Sequence, residues 1–280
     1  MARDRNHVHG RPTWPRKVAL WVGIVLIGFE LIYVIAANLV LRTHLLDDQV
    51  TGATKGLFLK IGSGWTVLPG RVYVEGVELH FEDYNVQFSL TLDKATVDIS
   101  LFQLPMKTFH LTRVRADGVR YLFRHRVHSA KGHERRLALY PKIPGYSDPP
   151  LYEGPPTPPL TDEQYDLWTI QLEDVEANAK ELWFLEYRFT GRARARGGFR
   201  LEPERDAQTE RCTLALDGAL RVGPQTVASK LEGWLHAQLD RHDPRIVQGA
   251  KIFSKISVNT ELDANIPDLE FTELYRSDGG

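Results

Sequence analysis

The sequence predicts a mostly β protein hung from a single N-terminal transmembrane helix. Three observations carry this. Residues Val18 to Leu41 form a run that is apolar apart from Glu30 and Asn38. From Thr66 onward the hydrophobic period falls to two, in short runs broken by turn residues. No convincing helical period follows. The alternation implies an antiparallel meander sheet with one apolar and one polar face. Such a sheet either curls into an open groove or closes as a sandwich.

The apolar run has about 24 residues and as a helix spans about 36 Å, enough to cross a hydrocarbon core of about 30 Å. It is too long for the core of a cleaved signal peptide, and no small-x-small site follows it. Arg3, Arg5, Arg11, Arg16 and Lys17 precede it, whereas Arg42, His44, Asp47 and Asp48 follow. The excess of positive charge puts residues 1–17 in the cytoplasm as a stub and the chain beyond the 18–41 span on the far side of the membrane. Glu30, near the middle of the span, is costly unless paired or protonated. Either it is neutral or snorkels in a tilted single helix, or it marks the point where a second membrane protein touches this helix.

A juxtamembrane connector is expected over 42–65, ending in the turn Gly62-Ser63-Gly64. The first half of the β domain covers 66–140. Val72 and Val74 alternate, Gly76 shifts the phase, and Val77 and Leu79 resume it, as a bulge would. Phe88, Leu90, Val97, Ile99, Val119, Tyr121 and Phe123 continue the same face, with turns at Asp93-Lys94 and Asp117-Gly118. Residues 141–161 hold half of the chain's prolines and read as a stiff extended loop or linker, since proline donates no ladder bond. Alternation returns over 162–280, the second half. Leu231 to Leu239 fits a strand better than a helix because Gly233 and a DRHDP turn flank its bulk.

Composition narrows the function. The formal net charge is −1, which gives no global field for nucleic acid. The lone Cys212 permits no intramolecular disulfide and sits in a strand-like context. No nucleophile elbow, phosphate loop or dinucleotide fingerprint is present, so neither catalytic residues nor a cofactor is assigned. His125, His128, His133 and Glu134 have ligand-like spacing, but the arginines around them oppose a cation, so no metal site is assigned. Two basic rows stand out instead: Arg113, Arg115, Arg120, Arg124 and Arg126, then Arg192, Arg194 and Arg196. Guanidinium groups pair well with phosphate, so these rows are candidates for an anion or lipid headgroup site, or else the solvated face of the sheet.

A family resemblance rests on the stretch from Pro69 to Phe123. There GRVYVEGVELHF, FSLTLDKATVDISL and FHLTRVRADGVRYLF follow the membrane run and connector. Gly76-Val77, Val97 to Leu101 and Val114 to Val119 match a recurrent pattern. It consists of a glycine–valine pair, a strand of alternating valine and leucine, and a turn of the form V-x-x-D/E-G-V. This resembles the opening of AsmA-like bacterial envelope proteins, over about a quarter of the chain. The resemblance implies an inner-membrane anchor, a periplasmic sheet curled into an apolar groove, and carriage of phospholipid acyl chains rather than catalysis. By that analogy the groove is lined by Val72, Val74, Val77, Leu79, Phe88, Leu90, Val97, Ile99, Val119, Tyr121 and Phe123. The alternative reading is an anchored structural or scaffolding subunit of an envelope complex that binds no lipid.

Overall fold

The computed structural model describes residues 14–43, 45, 47, 51, 56–83, 85–152, 168–202, 206–242 and 254–273, the side chains of 14–21 and 23–27 excepted. Most of the basic stub and residues 153–167 lie outside them. Helix α1 runs Trp14–Arg42. Pro15 falls in its first turn, where a missing N–H removes no intrahelical bond. Ten strands follow: β1 Leu57–Leu68, β2 Arg71–Glu82, β3 Val86–Ile99, β4 Thr108–His125, β5 Thr169–Phe184, β6 Tyr187–Glu202, β7 Asp206–Thr209, β8 Cys212–Val222, β9 Gln225–Leu239 and β10 Ile256–Ala264. A 3-10 turn, Leu101–Met106, joins β3 to β4, and a short helix α2 covers Glu134–Leu137.

All ten strands lie in one sheet, ordered β1-β2-β3-β4-β5-β6-β7-β9-β10, with β8 paired to β6 and β9. No two-sheet sandwich forms among the described residues. The meander is also not antiparallel throughout. β4 and β5 pair in parallel, from Thr108 opposite Thr169 to Phe123 opposite Phe184. Parallel neighbours require a long crossover, and the proline-rich connection supplies it. Two boundaries move as well. β1 begins at Leu57, inside the expected connector, and Gly62-Ser63-Gly64 is strand rather than turn. Those glycines answer to close neighbours. A Cβ on Gly62 would sit 3.1 Å from the Glu75 carbonyl oxygen, and one on Gly64 would sit 3.3 Å from Leu41 of α1.

The apolar face stays on one side because the strands slip phase together. Val72 and Val74 give way to Val77 and Leu79 across Gly76, which has φ +64°. Leu90 and Leu92 give way to Ala95 and Val97 across Asp93-Lys94, and Ala116 to Val119 across Gly118 at φ +72°. Because β2, β3 and β4 slip at the same level, cross-strand pairing survives on both sides. Such a line of bulges bends the sheet. The row continues to Gly191, which pairs with Gly218 on β8. The core stripe follows the line: Ala95, Ala116, Val119, Ala179, Phe189, Ala193 and Leu216. Phe189 is only 2 % exposed, and the buried cluster around it is drawn entirely from strands of this one sheet. Neighbours on the same sheet cover the ring, so this face is concave.

Gly191→Ala tests the bend. Its φ is +144°, and a Cβ would lie 2.5 Å from the Asp217 carbonyl oxygen and 2.7 Å from Gly218 Cα. Backbone strain and clash together should cost more than about 2 kcal/mol in chemical unfolding. Arg192→Ala, exposed on the same strand, should cost no more than about 0.5 kcal/mol. Equal losses would mean that the sheet does not depend on this close approach.

Candidate functional site

The concave face is built from cross-strand rows. One row reads Leu79, Leu90, Tyr121, Leu182, Phe189, Leu220 across six strands. A second reads Phe81, Phe88, Phe123, Phe184, Tyr187, Val222. On the other side of the bend, Val74, Ala95, Ala116, Ala177, Ala195 and Leu214 form a row of smaller side chains. Val72, Val97 and Val114 lie beside it, and Ile99 faces Leu111. Val77 pairs with Leu92, and Val119 is buried in the central stripe. All eleven residues proposed to line a groove therefore fall on one face. Phe123 and Phe184 stack at 4.6 Å, and burial pushes the Tyr121 hydroxyl pKa upward. The far strands, from Leu182 to Leu231, extend the lining beyond those eleven. Their alternation is visible in the sequence, but only the parallel joint places them beside β4.

The arginines proposed for an anion do not form one site. Arg113 and Arg71 share Asp98, at 3.7 and 2.6 Å. Arg115 pairs with Asp174 and Glu176, Arg120 reaches Glu181, and Arg196 reaches Asp174. These are cross-strand pairs on the polar back of the sheet. The Arg71 and Arg115 guanidinium groups hold the Asp98 and Asp174 carboxyls below the usual carboxylate range. Arg192 and Arg194 line a cleft of about 740 Å³ at the bend, with Asp93, Asp117, Asn178 and Lys180.

Arg124 is different: its side chain is fully buried. It donates to Gln87 Oε1 at 2.8 Å, to the Pro141 carbonyl at 3.0 Å and to the Ser147 carbonyl at 2.7 Å. Arg126 donates to the carbonyls of Asp83 and Leu151 and lies over the Tyr152 ring. With Trp183 Nε1 donating to the Leu139 carbonyl at 3.2 Å, these two arginines strap residues 139–152 onto the polar face. They serve the crossover, and carbonyls of the crossover and the β2–β3 turn take up most of their donors. The histidines serve it too. The Tyr140 hydroxyl lies 3.0 Å from His125 Nδ1, and His128 Nδ1 lies 3.2 Å from the Tyr152 carbonyl oxygen. No group of three metal-ligating side chains occurs among the described residues. Cys212 is half-buried, and burial pushes its thiol pKa up.

Helix α1 lies along the edge strand β1. Asn38 Nδ2 donates to the Thr66 carbonyl at 2.8 Å, and the Thr66 amide donates back to Asn38 Oδ1 at 3.0 Å. The Gly70 amide donates to the Tyr33 hydroxyl at 3.1 Å. Tyr33, Val34, Ala37, Asn38 and Leu41 make the half-buried stripe. Glu30 is exposed one turn earlier on that same stripe. Among the described residues no helix is long and apolar enough to cross a membrane, with the side chains of 14–21 and 23–27 standing outside that statement. No family model and no curated protein matches the chain.

Two outcomes test the strap. Arg124→Ala leaves three carbonyl-type acceptors without their buried donor and should cost about 3 kcal/mol, with faster amide exchange over 141–152; unchanged exchange there would exclude the role. The second concerns pH. Burial is the main cause lowering the His125 pKa from 6.5; Arg136 and His133 add to it, and Glu186 opposes it. The folded chain then binds this proton less readily than the unfolded chain. Stability is therefore held above the unfolded value and lost as pH falls from about 6.5 toward the folded pKa. His125→Gln should flatten the unfolding profile between about pH 7 and 5. A profile as steep as that of the parent would show that other groups carry the slope.

Proposed function

We propose that this chain is a single-pass, bilayer-anchored protein whose concave sheet face holds phospholipid acyl chains. In this reading α1 spans the bacterial inner membrane through 18–41, the stub is cytoplasmic and the sheet is periplasmic. The chain then acts as a short AsmA-like component of envelope lipid traffic. One observation carries the reading: a continuous apolar face, several rows deep and six strands wide, whose side chains gather into one cluster drawn from a single curved sheet. Its centre is closed by the sheet's own side chains, and Phe184 on its outer row is half exposed. A face of this kind needs a partner layer or a ligand, and acyl chains match its lack of polar groups. The positive flank of the apolar run supports the orientation.

The scaffolding reading draws on a different observation. β10 is an edge strand, and all its residues but Ala264 are exposed, Val258 and Leu262 among them. An uncovered edge can pair with a strand of another protein.

Lipid photocrosslinking separates the two. The full chain in vesicles is irradiated with a phospholipid carrying a diazirine in its acyl chain. Labelling is expected at Leu90, Leu182 and Phe189, beyond the bend from the membrane, and Leu90→Glu with Leu182→Glu should reduce it several-fold. Labelling confined to α1 and the β1–β2 turn would reject lipid carriage and favour the scaffold.

A further inference from the structure

The end of the sheet next to α1 carries exposed apolar side chains that the concave face does not use. Val67 and Leu68 at the end of β1 are 51 % and 48 % exposed. Phe102 and Met106 in the 3-10 turn are 92 % and 67 % exposed, and Trp168 ahead of β5 is 46 % exposed. The turn reads LFQLPM, with glutamine its only polar side chain. It lies against the β1–β2 turn, because the Ile99 amide donates to the Gly70 carbonyl at 2.6 Å. Gly70 in turn is tied to Tyr33, which stands about 12 Å along the helix from the end of the apolar run at Leu41.

We infer that the 3-10 turn Leu101–Met106 dips into the leaflet on the sheet's side, as a second membrane contact beside α1. This rests on the reading of α1 as a membrane span. The occupant is bilayer hydrocarbon, and three features argue for it. The first is depth. Contacts from Leu41 with Gly64 to Tyr33 with Gly70 run α1 and β1 side by side, so the helix continues toward its N-terminus past the end of the sheet. A helix spanning through 18–41 carries that end to the level of its own apolar residues. The second is backbone satisfaction. Ser100 donates to the His110 carbonyl, Gln103 to Ser100, Lys107 to Leu104, and Thr169 to Lys107. Each of these bonds lowers the cost of taking the turn out of water, since an unpaired polar group there is expensive. The third is what flanks the tip. Arg71 and Arg113 share Asp98 just above the turn, so the charges nearest the tip are paired with each other. Trp65 and Tyr73 stack at 4.1 Å farther up, where aromatic side chains suit the interface.

The consequence for the proposed function is a dry entrance. The row of Ile99, Leu111, Leu172 and Phe199 begins directly above the turn. An acyl chain could then pass from the leaflet onto the concave face without crossing water.

The test uses the full chain in phospholipid vesicles with Cys212→Ala as background. A fluorophore is placed on one new cysteine at a time: Phe102→Cys, Phe29→Cys in the helix, or Lys142→Cys on the strap. Brominated acyl chains should quench the label at 102 and at 29, while aqueous iodide should quench only the label at 142. Iodide quenching at 102 with 29 still protected would overturn the inference and leave the span standing. Iodide quenching at 29 would overturn the span, and the inference with it.

Discussion

The two hydrogen bonds between the Asn38 side chain and the backbone of Thr66 govern more of this molecule than their number suggests. They present an amide to the free edge of β1 in the way a neighbouring strand would, donor to carbonyl and acceptor to N–H. An exposed edge strand invites pairing with other chains, and here the helix occupies part of it. The Thr66 residue is almost fully buried, so water does not compete for these bonds. They fix the rotation of α1 about its axis. That rotation determines which residues meet the sheet and where Glu30 points. Height, edge protection and the position of the concave face relative to the helix all follow from this contact and the Tyr33 bond beside it.

The second constraint is geometric. A sheet without a second layer must conceal apolar side chains by curvature. The in-register slip at Gly76, Asp93-Lys94 and Gly118 lets each strand bend while its apolar residues stay inside. Small residues follow the bend: alanines at 95, 116, 179 and 193 are all buried in the central cluster. The bulky rows of leucine, phenylalanine and tyrosine lie beyond it. The polar back is tied by charge pairs across neighbouring strands, which supports the curve without adding a layer.

Much of this was legible in the sequence because alternation is a local property. The runs from Val72 to Phe123 place the eleven proposed lining residues on one and the same face, and the phase slip at Gly76 can be read directly. Non-local features were not legible. The parallel joint between β4 and β5 leaves no periodic trace, since either direction would show the same alternation. Arg124 sits among solvated arginines in the sequence, and only the returning strap explains why it is buried. Gly62 and Gly64 resemble a turn until Gly76 and Leu41 are seen against them. Asn38 reads as a blemish in an apolar run because its partner lies 28 residues later.

The parallel joint also bears on how the chain reaches this structure. On either side of it, nearly every pairing is between strands adjacent in sequence, the kind of contact that forms quickly. Across the joint, partners such as Asp117 and Asn178 are 61 residues apart. Closing that distance carries a loop-closure cost before any contact rewards it. On these grounds the two hairpin stacks are expected to form first and to join late, when the strap seats on Arg124 and aligns β5 with β4. Until then the apolar faces of both halves stand open together, and this interval is when the chain is most prone to aggregate.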